Sequence, residues 1–318
     1  MTESAIDNLA SGNLAFEARG VNKAYPHFQL TDLNMKLETG QIMGFIGPNG
    51  AGKSTTIRIL MGLVQQDSGK VNVLGHNLPQ QQRAAKWDIG YASEDMRLYG
   101  KVDIQWHMDY MKSIYDSWDS GYAKTLLKRF DLLADHKIKG LSHGQRVKAA
   151  LLLMLARRPK LLILDEPTTG LDPVARHEVL NELMDVLLDG DRSILFSSHN
   201  TQDIEQLSDH IAFIDKGRII QSKDKESYLE SWRRLRLKVD EGVKLPNMVG
   251  IVEQRRVGHQ AIITSNGFTN NGFNDDLAAV YQNCGAVIES VERMTLEEIF
   301  VSEVQASRQQ VDSTGGIK

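Results

Sequence analysis

The chain of 318 residues has a single cysteine, Cys284, so no intrachain disulfide can form, as suits a reducing compartment. It has no excess of basic residues either. Thirty-seven Lys and Arg stand against 41 Asp and Glu, a formal net charge of −4. Affinity for a polyphosphate backbone comes from clustered cations, so this balance argues against a nucleic-acid binder. Long apolar runs are missing too. The longest, Ala149 to Ala156, is closed by Arg157 and Arg158. A membrane-spanning helix needs about 20 apolar residues, so any work done on a membrane must pass through a partner. Residues 1–13 are polar, carry Glu3 and Asp7, and lack the basic start and apolar core of a signal peptide. Aromatic residues make up only 7% of the chain.

What is present is an α/β pattern, long enough for two domains. Leu33, Met35 and Leu37 alternate with polar neighbours, the period of a half-buried strand. Ile42, Phe45 and Ile46 form a short apolar strand that runs into a glycine-rich turn, and a helix is expected over Lys53 to Val64. Trp106, Tyr110, Ile114 and Trp118 recur every four residues, a helical stripe expected to form the core of a helical subdomain, part of it free to receive a partner's helix. Leu161 to Leu164 is continuously apolar, as in a strand buried on both faces of a parallel sheet, and Ile194 to Phe196 reads similarly.

Ser222 to Arg236 is charge-rich and reads as a connecting helix or linker. Beyond it a small α/β unit is expected: a strand at Leu235 to Val239, a hairpin over Ile251 to Ser265 turning at Val257–Gln260, and a helix over Asp276 to Gln282. Thr295 and Glu298 form a capping box ahead of Ile299 and Phe300. The expected division is a tail at 1–13, a main domain at 14–225 with a helical subdomain at 95–140, an accessory domain at 226–302, and a flexible tail at 303–318.

Three segments carry chemistry. Gly47-Pro48-Asn49-Gly50-Ala51-Gly52-Lys53-Ser54, followed by Thr55, fits GxxxxGK[ST] between a strand and a helix. Its backbone N–H groups and the helix N-terminus suit phosphate oxygens. Lys53 faces the β and γ phosphates, and the Ser54 hydroxyl suits Mg²⁺. Leu161 to Leu164 ends in Asp165-Glu166 at a strand's carboxyl edge, where α/β sheets bind ligands. Asp165 is the candidate metal acid and Glu166 the candidate general base for an attacking water. Leu141-Ser142-His143-Gly144-Gln145 precedes a helix and offers a second phosphate-binding helix start, able to serve a neighbour's nucleotide.

In combination these motifs resemble the ABC ATPases over residues 14–225. The resemblance implies a P-loop fold: a RecA-like α/β core, an antiparallel β subdomain and a helical subdomain. It implies ATP and Mg²⁺ as cofactors. Tyr25 matches the adenine-stacking aromatic, Glu94 the Q-loop residue with a place near the metal, Leu171-Asp172 the D-loop, and Ser198-His199 the switch whose histidine senses the γ-phosphate. Two positions depart from the family: Glu94 stands where most members have Gln, and His143 replaces the first glycine of the usual Ser-Gly-Gly. The implied assembly is a two-fold pair of ATPase subunits, identical or different. Each nucleotide lies between one chain's P-loop and the other's Ser142, Gly144 and Gln145.

Leu98-Tyr99-Gly100, Asp165 to Pro173 and Thr295 to Val301 resemble exporter subunits whose permease is a separate chain. That resemblance implies a chain on the cytoplasmic face of the cell membrane, held by an integral membrane permease, with no nucleic-acid partner expected. The competing reading is a soluble ABC ATPase acting on a nucleic-acid or ribosomal partner. The chain has one P-loop where tandem translation types need two, and the stretch from Lys53 to Leu141 is too short for the long coiled coils of repair types. Arg233, Arg234, Arg236 and Lys238 read as a solvated face. A P-loop kinase would have no use for Ser142 to Gln145.

Overall fold

A computed structural model describes residues 14–93, 97–187, 190–268 and 275–314. The chain divides after Ser222 into two compact units, Met1–Ser222 and Lys223–Lys318. The expected boundary at 225 lies slightly later. Asp224 accepts a hydrogen bond from the Ser227 N–H and so caps the helix that follows.

In chain order the first unit holds β1 (Leu14–Tyr25), β2 (Phe28–Glu38), β3 (Ile42–Ile46), α1 (Lys53–Leu60), β4 (Ser68–Val73), β5 (His76–Leu78), α2 (Gln82–Trp87) and β6 (Ile89–Ser93). Then come α3 (Ile104–Ile114), α4 (Ser120–Arg129), α5 (His143–Leu155), β7 (Leu161–Asp165), α6 (Pro173–Leu187), β8 (Ser193–Ser198), α7 (Thr201–Leu207), β9 (His210–Asp215) and β10 (Arg218–Asp224), whose last two residues fall past Ser222. Among the described residues two sheets form. One is four-stranded, in the order β2-β1-β4-β5, with antiparallel pairing throughout. The other is six-stranded, in the order β10-β9-β3-β8-β7-β6, with parallel pairing from β9 to β6.

The parallel register sets the site. Ile46 pairs with Ser198, and Asp165 pairs with both Ser197 and Ser93. The carboxyl ends of β3, β7 and β8 therefore stop along one edge, and the glycine-rich loop, the acidic pair and His199 all leave from it. Leu161 to Leu164 are wholly buried, as two-sided burial in a parallel sheet demands. Leu33, Met35 and Leu37 bury the inner face of β2.

Helix α1 stops at Leu60, short of the expected Val64, because Gly62 enters the left-handed region (φ 60°) and ends it. The aromatic stripe differs from expectation more deeply. In α3 the buried positions are Ile104, His107 and Met108, while Trp106 and Tyr110 are 42% and 46% exposed. Trp118 lies beyond the helix end. The stripe is the outer face of the helix, one position out of phase with its core. His107 fixes the base of this helix: its Nε2 accepts from the Tyr99 N–H at 3.0 Å, so its Nδ1–H donates to the Asp103 carbonyl at 2.8 Å.

The second unit holds α8 (Lys225–Ser231), β11 (Arg233–Val239), β12 (Ile251–Val257), β13 (Gln260–Ser265), α9 (Asp275–Asn283), β14 (Ala286–Arg293) and α10 (Leu296–Thr314). Its antiparallel sheet runs β12-β13-β11-β14. Leu235, Leu237, Val239, Ile263 and Tyr281 build its core. The capping box forms at α10: Thr295 Oγ1 accepts from the Glu298 N–H, and the Glu298 carboxylate accepts from the Thr295 N–H. The expected frayed tail at 303–318 is corrected over most of its length, since α10 runs to Thr314. No glycine or proline interrupts the chain between Thr295 and Gly315, so nothing stops a capped helix earlier.

Candidate functional site

The loop between β3 and α1 can bend as it does only with glycine at three positions, Gly50 with φ 79° being one. Gly52, the residue before α1, has φ 117°, and a Cβ there would lie 2.7 Å from Leu30 Cδ2. A Cβ on Gly47 would lie 2.5 Å from the Ile214 carbonyl oxygen. No side chain caps α1, so its first N–H groups face the loop's concave side. The cleft there has a volume of about 630 Å³. Pro48, Asn49, Gly50, Gly52, Lys53, Ser54 and Thr55 line one wall, Glu166, Thr169 and His199 the other, and His27 and Phe28 one end. Ala51 is buried behind the loop.

Lys53 is almost wholly buried. Its Nζ donates to the Gly47 carbonyl at 2.7 Å and lies 3.4 Å from Glu166 Oε1. Glu166 Oε2 accepts from His199 Nδ1 at 2.6 Å, from the His199 N–H at 3.2 Å and from Thr169 Oγ1 at 3.3 Å. Burial pushes the Glu166 carboxyl up. The His199 ring hydrogen bond, the Lys53 charge and the His199 N–H outweigh it and hold the group below the usual carboxylate value. Glu166 is thus an ionised carboxylate between a fixed cation and an exposed imidazole. Its backbone is left-handed (φ 55°), an uncommon state for a residue with a side chain.

Asp165 Oδ1 accepts from the Ser197 hydroxyl at 2.7 Å. Asp172 caps α6, accepting from the Val174 and Ala175 N–H groups at 3.0 Å each. The Ala175 bond leads in holding its carboxyl below the usual range. Behind this loop Asp203 is buried and accepts from Thr168 Oγ1 at 2.8 Å and Arg176 Nε at 2.6 Å, tying the segment after Glu166 to α7.

Ser142, Gly144 and Gln145 stand apart from this cleft: none lines it. Ser142 Oγ accepts from the Gln145 N–H at 3.2 Å and Gln145 Oε1 accepts from the Ser142 N–H at 3.0 Å, a capping box that starts α5. His143 is exposed, its Nε2 3.2 Å from the Thr169 carbonyl. A second cavity of about 480 Å³, lined by Arg97, His143, Arg146, Glu166 and Thr169 among others, lies on the far side of Glu166.

Tyr25 does not line the cleft. The chain turns back at Pro26-His27, Tyr25 and Phe28 close the hairpin as a pair, and it is Phe28 that lies against Gly52. Glu94, expected near the metal, lies outside the described residues. Ser197, His27, Phe28 and Thr169 join the site without having been singled out. Thr169 follows the acidic pair closely enough in sequence to be found, whereas Ser197 becomes visible only through the β7–β8 register.

Residues 30–169 match the family described as ABC transporter. The chain is 29% identical over 296 residues to "ABC transporter ATP-binding protein YtrB" of Bacillus subtilis (strain 168), covering 92% of this chain and 99% of that protein. It is 33% identical over 210 residues to "Nod factor export ATP-binding protein I" of Cupriavidus metallidurans, covering 64% and 69%. A solved structure titled "Structure of ATP binding subunit of ABC transporter" superposes with a TM-score of 0.62 at 26% identity, covering 67% of this chain and 90% of that one. The chain belongs to the ABC transporter ATP-binding family. It is an ABC-type ATPase that binds adenine nucleotide, and an ATP-binding subunit of an ABC transporter.

Proposed function

We propose that this chain powers export by a separate membrane permease, through ATP-driven closure of two ATPase subunits, from the cytoplasmic face of the membrane. The observation that carries the reading is the cleft itself: a phosphate-binding loop with Lys53 buried at its base, facing an ionised Glu166 held by His199. The glycine-rich loop and the start of α1 cradle the phosphates, and Lys53 neutralises them. Glu166 takes the proton of the attacking water, and His199 orients that carboxylate from the γ-phosphate side. The aromatic end of the hairpin, Phe28 in the cleft wall and Tyr25 beyond it, meets the base. Ser54 and Asp165 are oxygen donors of the kind Mg²⁺ takes together with phosphates, and the metal would neutralise charge there. Glu94 would supply a further carboxylate to the same metal.

Ser142, Gly144 and Gln145 serve the nucleotide of a second ATPase subunit, either an identical chain or a related one. They start a helix whose N-terminus suits phosphate yet lies off their own chain's cleft. ATP bridging two subunits favours the closed pair by its higher affinity for that state. The relatives include a protein named for Nod factor export, which supports the export direction.

The permease docks on the exposed aromatic face of the helical subdomain. Trp106 and Tyr110 stack there with ring centroids 5.3 Å apart. Tyr99 meets Trp106 edge-on at 5.9 Å, and together they line a groove of about 380 Å³. Large aromatics in a groove are the usual anchors of such contacts. A photo-crosslinker at Tyr99, Trp106 or Tyr110 is expected to capture an integral membrane protein. Capture of only RNA- or DNA-associated proteins would replace this reading with a soluble ABC ATPase.

A further inference from the structure

Ser197 is wholly buried in β8 and joins both acids of the site. In the parallel pairing of β7 with β8 it lies opposite Asp165. Its hydroxyl donates to Asp165 Oδ1 at 2.7 Å, and the Glu166 N–H points at the same hydroxyl oxygen at 3.1 Å and at the Ser197 carbonyl at 3.2 Å. A serine hydroxyl carries one proton, so its donor capacity is fully committed to the Asp165 carboxylate while its oxygen serves the next residue's N–H. Other buried serines in this unit are used differently. Ser208 donates to the Ile204 carbonyl within its own helix turn, and Ser198 accepts from the Asn200 N–H at the start of α7. Ser197 alone among these three reaches the acids.

The two contacts do separate things. The bond to Asp165 is charge-assisted and fixes which oxygen of that carboxylate remains free. The bond from Glu166 holds a peptide group at the point where the chain enters the left-handed region, a conformation that persists only where its surroundings over-determine it. From that turn the Glu166 side chain reaches Lys53 and His199. We propose that Ser197 is a positioning residue for the acidic pair, setting the Asp165 carboxylate and holding the Glu166 backbone in the turn that aims its side chain into the cleft. This rests on the reading of Asp165 as metal acid and Glu166 as base.

The test is ATP turnover by the purified full-length chain carrying Ser197→Ala, titrated with Mg²⁺. A hydrogen bond to a charged group carries enough energy that its loss is expected to lower kcat roughly tenfold to a hundredfold. The Mg²⁺ concentration for half-maximal activity is expected to rise several-fold, while ATP binding in EDTA stays unchanged. A purely packing role would shift the melting temperature and leave the Mg²⁺ dependence alone. Ser197→Cys carries the test should the alanine variant fail to fold, because a thiol fills the site and is a weak donor. Wild-type kcat and wild-type Mg²⁺ dependence in the folded variant overturn the proposal. Glu166→Gln is measured beside it. Inactive Glu166→Gln with unaffected Ser197 variants removes the positioning role alone, whereas wild-type turnover by Glu166→Gln removes the reading on which it stands.

Discussion

Glu166 sits where three demands meet: burial, which disfavours its charge, and the Lys53 and His199 contacts, which restore it. In its proposed role of general base it must be ionised before it can accept a proton. Replacing it by glutamine keeps the shape and removes the acceptor. Turnover should fall about 10²–10⁴-fold, with nucleotide binding retained, and a steady-state ATPase assay beside a binding titration checks both halves. Phe28 gives a second expectation. It lines the cleft and Tyr25 does not, so Phe28→Ala should raise the KM for ATP more than Tyr25→Ala. Aromatic stacking of ordinary strength makes that roughly a two- to tenfold effect. Equal effects, or a larger one at Tyr25, would restore the sequence-based assignment. At this scale the grouping of residues was legible wherever it is written in consecutive residues: Pro48 to Thr55 and Glu166 meet around one cleft. Contacts set by strand register or by a hairpin turn were not legible. The Ser197–Asp165 bond, the presence of Phe28 rather than Tyr25 in the cleft lining and the left-handed backbone of a glutamate all depend on neighbours distant in sequence.

Among the elements, those with a strong local signal formed as read. The hairpin turns between Val257 and Gln260, and Thr295 and Glu298 close the capping box of α10. The aromatic stripe of α3 failed as a guide to burial because period alone cannot say which stripe faces in. Ile104, His107 and Met108 recur at helical spacing too, and they pack inward. The difference bears on the proposed permease contact, since Trp106 and Tyr110 are left exposed. Thr295→Ala should destabilise the second unit by about 0.5–2 kcal/mol, read from denaturant unfolding of the full chain. The same cap has a pH signature. Glu298 is held below its ordinary value of 4.5, first by the Thr295 N–H and then by Arg234. A lowered carboxylate contributes stability that is fully present above 4.5 and is lost as pH falls through its folded value. Stability of the Glu298→Ala variant should therefore depend less on pH in that acidic range than stability of the wild type.

Across the whole molecule, the parallel sheet aligns the phosphate loop, the acidic pair and His199 on one edge, while the start of α5 lies off the cleft of its own chain. This separation underlies the claim that two subunits complete each other's sites, and a mixing experiment tests it most directly. A chain carrying Lys53→Ala lacks a working phosphate loop, and one carrying Ser142→Arg lacks a working α5 start. The second change also removes a helix cap, a loss of about 0.5–2 kcal/mol that a melting curve will register. Each variant alone should be inactive. Mixed, they should regain ATP turnover, because one site of each mixed pair joins an intact loop to an intact Ser142. No recovery at any ratio, with mixed pairs shown to form, would contradict the shared site.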